Sequence, residues 1–149
     1  MSKNLYTELK AKQSKEVNSF PMMFAFGNEQ FAEGMKKLGL DITDTDKIYS
    51  IGGGGYIKKT DSKALNQMGE DHAREIAESI ANDKTGTGYI YDMFYYELNN
   101  HEYNYTWDIE DTLYSLDLTR DQVNENPILK AALKKACKDI RNEDVEEAQ

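Results

Sequence analysis

The chain has 149 residues, with 27 Asp or Glu against 18 Lys or Arg and a net charge of −9. That length suits one domain with a core large enough to need no disulfide staples, and the single cysteine, Cys137, excludes an internal bridge and fits a reducing cytosol. No apolar run approaches the roughly 18 residues of a membrane span, and the opening Met-Ser-Lys-Asn-Leu-Tyr-Thr-Glu lacks the apolar centre of a secretory signal.

Residues 4–17 form an amphipathic helix, with Leu5, Leu9 and Val17 on one side. Residues 20–26 are a short apolar run of strand length, and Pro21 restricts it to a strand start or an edge. Asn28 is placed to cap a helix carrying Phe31, Met35 and Leu38, and Gly39 closes that helix in the left-handed conformation. Residues 48–52 and 55–59 read as two strands around Gly52, Gly53, Gly54 and Gly55, a hairpin pattern because glycine alone accepts the positive φ of a tight turn. The competing reading is an anion cradle formed by those four glycines and Lys58. Its match to known phosphate loops is poor, with no Gly-Lys-Ser/Thr ending.

Thr60 or Asp61 starts a helix that reaches Asn82, with Leu65, Met68, Ala73, Ile76 and Ile80 as its apolar side. His72 falls on that side. Residues 83–88 are a loop. Residues 89–107 then hold six of the ten tyrosines, the only tryptophan and His101. Read as a helix, residues 90, 93, 94 and 98 share an apolar face, with Glu97 and His101 in its middle, four apart and able to meet. Asp108 is a candidate cap for a short helix over 109–116. Thr119 with Gln122 has the pattern of a capping box, and Asn126 with Pro127 opens the last helix. Residues 142–149 read as a flexible acidic tail.

Two constellations could carry function. His72, Glu97 and His101 offer a metal-ligand set or a carboxylate-oriented general base. The competing reading is a polar pair that only fixes core packing. No His-Glu-x-x-His, paired-cysteine or serine-elbow motif accompanies them, and no cofactor is implied. The second is charge. Residues 1–88 carry 13 acids against 12 Lys or Arg, and residues 89–149 carry 14 against six. Such a surface repels phosphate backbones and attracts basic partners. The lysines of the last helix form only a local basic strip. The candidate contact residues are Asp92, Glu102, Asp108, Glu110, Asp111, Asp117, Asp121 and Glu125. Neighbouring tyrosines suit a docking surface, since they give contact area at low entropy cost.

The phrases at residues 24–31 and 33–39, Tyr-Ser-Ile-Gly-Gly-Gly-Gly-Tyr-Ile at 49–57 and Tyr-Tyr-Glu-Leu-Asn-Asn-His-Glu-Tyr at 95–103 resemble an uncharacterised family of small acidic proteins from phages and mobile elements of low-GC bacteria. The resemblance covers roughly residues 20 to 140 and assigns no catalytic residue. It implies a setting in which such proteins inhibit host defence systems, including restriction and CRISPR nucleases.

The expectation is an α+β fold: one globular domain over 1–141, with a small antiparallel sheet packed by four to six helices. The expected function is a non-enzymatic acidic protein-binding module of the bacterial cytoplasm. It would dock a basic host protein such as a nuclease, without contacting nucleic acid or membrane. The alternative is a small enzyme or metal protein built on His72, Glu97 and His101.

Overall fold

Apolar residues three and four apart dominate the second half of the chain, and alternation is confined to a few residues around the glycine run, so helices outweigh strands. The computed structural model describes residues 3–148 and bears this out. The two N-terminal residues and Gln149, ends of the expected domain and tail, lie outside the described residues. The fold is α+β, with one small antiparallel sheet and, among the described residues, eight α-helices rather than four to six. The chain divides into two compact units: residues 13–74, and the N-terminal segment through Lys12 together with everything from Glu75 onward.

The 13–74 unit contains the second part of α1 (Leu5–Asn18), β1 (Met23–Phe24), α2 (Asn28–Lys37), β2 (Ile48–Gly52), β3 (Gly55–Lys58) and the first part of α3 (Ser62–Asn82). The strand order is β1-β3-β2, antiparallel throughout. β1 is shorter than the expected 20–26, though Ala25 extends the ladder by donating its N–H to the Gly54 carbonyl at 2.9 Å. Gly52 pairs with Gly55, leaving Gly53 and Gly54 as a two-residue turn at φ +58° and +79°, the primed geometry that matches strand twist. α2 ends as foreseen, with Gly39 at φ +76°. The Gly39 and Leu40 N–H groups return to the Lys36 and Met35 carbonyls in a Schellman pattern. The Asn28 cap is not formed: Gly27 holds the N-cap position without a side-chain bond, and Asn28 is the first helical residue. Met23, Met35 and Leu38 form the unit's small core.

The second unit holds α4 (Tyr89–Asn100), α5 (Tyr103–Thr106), α6 (Glu110–Ser115), α7 (Arg120–Glu125) and α8 (Pro127–Ala148), with the start of α1 and the end of α3. Residues 142–148, expected as a tail, continue α8. Its core centres on Met93, Phe94, Leu98, Leu113, Ala136 and Ile140. Burying each large apolar side chain contributes about 1.5–3 kcal/mol. Asp83 organises the approach to α4: its carboxylate accepts the N–H groups of Gly86, Gly88 and Ile90 at 3.0–3.1 Å. Thr119 and Gln122 form the expected capping box, and Asn126 Oδ1 caps α8 through Ile128 and Leu129. The expected Asp108 cap is displaced by one residue. Ile109 is the N-cap of α6, while Asp108 Oδ1 accepts the Glu110 N–H. The apolar side of α3 contains no fully buried residue, and Ala73 and Ile76 are exposed. Among the described residues no helix is long and apolar enough to cross a membrane.

Candidate functional site

α4 is helical because its apolar positions recur at three and four, and that face carries Glu97 inward with Met93, Phe94 and Leu98. Glu97 is 2% exposed. Its Oε2 accepts the Tyr6 hydroxyl at 2.8 Å, and its Oε1 accepts Asn100 Nδ2 at 3.2 Å. The Lys10 ammonium lies 3.8 Å from Oε2 and over the Tyr6 ring. Burial, reinforced by the hydrogen bond and charge of Glu97, pushes the Tyr6 phenol far above its ordinary value. Thr112, fully buried, donates Oγ1–H to the Glu97 carbonyl at 3.3 Å. These bonds tie α1, α4 and α6 together around a sealed carboxylate.

His101 meets Glu97 only through the backbone, its N–H donating to the Glu97 carbonyl at 3.0 Å. It is the C-cap of α4, at φ −103° and ψ 20°. Its Nε2 hydrogen-bonds Ser115 Oγ at 2.7 Å. His72 belongs to the other unit, where its Nε2 lies 3.6 Å from Glu16 Oε1. The glycine run enters a strand rather than a helix. Gly52, Gly53, Gly54, Gly55 and Lys58 therefore lack the helix N-terminus that a phosphate cradle uses. Cys137 is buried on α8, where burial pushes its thiol above the ordinary value.

The acidic candidates separate into two groups. Asp92 is half-buried and accepts the Leu5 N–H at 2.8 Å, beside Asn4, whose Oδ1 accepts the Thr7 N–H; both serve the start of α1. Glu102, Asp108, Glu110, Asp111, Asp117, Asp121 and Glu125 are all exposed. Arg120 is the one basic residue among them and pairs with Glu110.

Sequence reasoning set tyrosines beside these acids as docking residues but missed the exposed Trp107 and the backbone that carries it. Tyr105 is 80% exposed, Trp107 65% and Tyr114 87%. Among the described residues, the only non-glycine positions with positive φ are Glu102, Trp107 and Asp117, all in this segment. A left-handed backbone costs an L-residue about 1–2 kcal/mol, and for a bulky tryptophan it is an outlier. Trp107 is held there as the C-cap of α5, its N–H donating to the Tyr103 carbonyl, with the Arg141 guanidinium 5.5 Å from its ring centre. No local pattern announces such a conformation at a non-glycine residue.

A helix-dominated α+β chain with a sealed polar node and an exposed acidic-aromatic segment is the class these observations define. The chain belongs to a family of unknown function, DUF7659, whose pattern matches residues 5–139. No protein of curated function and no solved structure matches it.

Proposed function

We propose that the protein is a non-enzymatic binding module whose segment 102–125 docks a basic protein. The observation that carries this reading is the coincidence, in one segment, of seven exposed acids, three exposed aromatic rings and all three left-handed non-glycine residues. Exposed tyrosine and tryptophan supply interface anchors, and surrounding carboxylates steer a cationic partner. Backbone strain persists only where neighbouring structure holds it, and it concentrates at functional segments. The finer form of the proposal is a phage or mobile-element inhibitor acting in the bacterial cytoplasm. There its acids would occupy the cationic groove of a host nuclease or other nucleic-acid-handling protein, in place of a phosphate backbone. A catalytic or metal role for His72, Glu97 and His101 has less support, because Glu97 is sealed and engaged by Tyr6 and Asn100.

Affinity capture from bacterial lysate, washed at low and high salt, tests the proposal when run beside a variant with Glu102, Asp108, Asp111, Asp117 and Asp121 changed to Lys. The expected result is a basic nucleic-acid-binding protein that is released as salt rises and is absent from the variant. A partner retained equally by both proteins, or indifferent to salt, overturns it.

A further inference from the structure

In a chain of net charge −9, α8 carries a cationic stripe with an unusual neighbour. Lys134, Lys138 and Arg141 are four and three residues apart, so they follow one face of the helix. They border a cleft of about 420 Å³ whose floor is Tyr103, Ile109, Leu133 and Cys137. That volume lies within the roughly 300–1,000 Å³ of small-molecule sites. No acidic side chain lines the cleft. The one acid of α8 before Arg141, Asp139, is held by Lys135 at 2.6 Å and by the Tyr91 hydroxyl at 2.6 Å. Among the described residues Lys134 and Lys138 make no ion pair within 4 Å, although Lys138 lies near enough to Asp139 to help Lys135 and Tyr91 hold its carboxyl below the ordinary value. Arg141 uses its Nε on the Cys137 carbonyl and its face on Trp107.

We infer that this cleft binds a small organic anion with an apolar body, an alkyl or aryl carboxylate, with the body on the Tyr103–Ile109–Leu133–Cys137 floor and the carboxylate among Lys134, Lys138 and Arg141. Three cations along one helix stripe repel each other, and a bound carboxylate relieves that repulsion. An apolar floor under a polar rim selects an amphipathic ligand over an inorganic ion. None of the acids of segment 102–125 lines the cleft. Glu102, Asp108 and Glu110 adjoin the floor residues Tyr103 and Ile109 in sequence and oppose an anion, whereas the rim cations act on it at contact. The cleft shares Tyr103 and Ile109 with the acidic segment and Arg141 packs on Trp107, but its test reads octanoate rather than a protein partner, so the two proposals fail separately.

Octanoate is the probe, followed through residue-resolved amide shifts on the full chain, with 1-octanol and octylammonium as the neutral and cationic counterparts. Octanoate is expected to shift amides at 103, 109 and 133–141 in a saturable way. The double variant Lys134→Glu/Lys138→Glu alters only exposed side chains, so its spectrum elsewhere should remain native. Its octanoate affinity should fall about tenfold or more, the scale of losing charge-assisted contacts. Octylammonium should produce no saturable shift. Octanol matching octanoate, shifts centred elsewhere, no shifts, or undiminished binding by the variant each overturn the inference.

Discussion

A carboxylate inside an apolar core destabilises the fold unless its lone pairs are met, and Glu97 meets them with Tyr6 and Asn100. Tyr6→Phe removes the shorter bond and leaves the carboxylate under-satisfied, so it should cost about 1–3 kcal/mol in urea unfolding. Tyr89 is the internal comparison. Its hydroxyl is buried and has no hydrogen-bond partner among the described residues, so Tyr89→Phe should be neutral within about 0.5 kcal/mol, or stabilising. Equal losses in the two variants would remove Glu97 as the distinguishing cause. The same phenols set the alkaline limit. Burial pushes Tyr89 up to about 12, and Tyr6, Tyr91, Tyr95 and Tyr103 also shift upward. Below the ordinary value of 10.0 both states are protonated and stability is intact. Above it the unfolded chain releases protons that the native state keeps, so stability falls as pH rises through the shifted values. A urea midpoint unchanged between about pH 9 and pH 11.5 would contradict this. At this scale the sequence was half legible. Periodicity placed Glu97 on the inner face, but the i, i+4 rule overreached for His101: the backbone bond between them forms, while the His101 ring bonds Ser115 and the Glu97 carboxylate bonds Tyr6 and Asn100.

Short elements depend on single backbone conformations, and the hairpin and α5 do so in opposite ways. Gly53 and Gly54 both sit at positive φ, yet a Cβ on Gly53 would meet open space, while one on Gly54 would lie 2.6 Å from the Phe26 ring. Gly53→Ala should therefore cost only the left-handed term, about 1–2 kcal/mol, and Gly54→Ala measurably more. Thermal melts of the two variants check the order; equal losses would mean that Phe26 yields freely. Trp107 is the reverse case, a bulky residue where glycine would be easier. Trp107→Gly relieves the left-handed backbone and removes the ring beside Arg141. Its melting temperature should stay level or rise while capture of the basic partner falls. A large loss of stability would instead make Trp107 a packing residue. The hairpin was readable because glycine runs between apolar strands have few other uses. α5 was not: it has four residues, its flanking positions Glu102 and Trp107 are both left-handed, and its sequence carries no capping signal. α4 and α8 were readable because their long apolar stripes repeat, which is the strongest signal a sequence holds.

Across the whole molecule, charge sets binding and stability against each other. Seven acids with one arginine between residues 102 and 125, in a chain already at −9, repel one another at low ionic strength. The fold tolerates this because the side chains are exposed and solvated, so each repulsion is small and screened. Natural surfaces retain such a cost when a partner repays it in association rate and specificity. Glu102→Lys and Glu125→Lys place cations within the acidic segment without touching the core or the first turn of a helix, where a carboxylate suits the helix dipole, and each should leave stability unchanged or raise it by up to about 0.5 kcal/mol at low salt. The gain should fade as salt is added, since screening removes the repulsion in the parent protein as well. The same substitutions should slow association with a basic partner, and that deficit should also shrink with salt. Urea unfolding and association rates measured over one salt series separate the two effects. If both substitutions destabilise the protein at low salt, the carboxylates are serving the fold, and the acidic segment loses its standing as a surface kept for a partner.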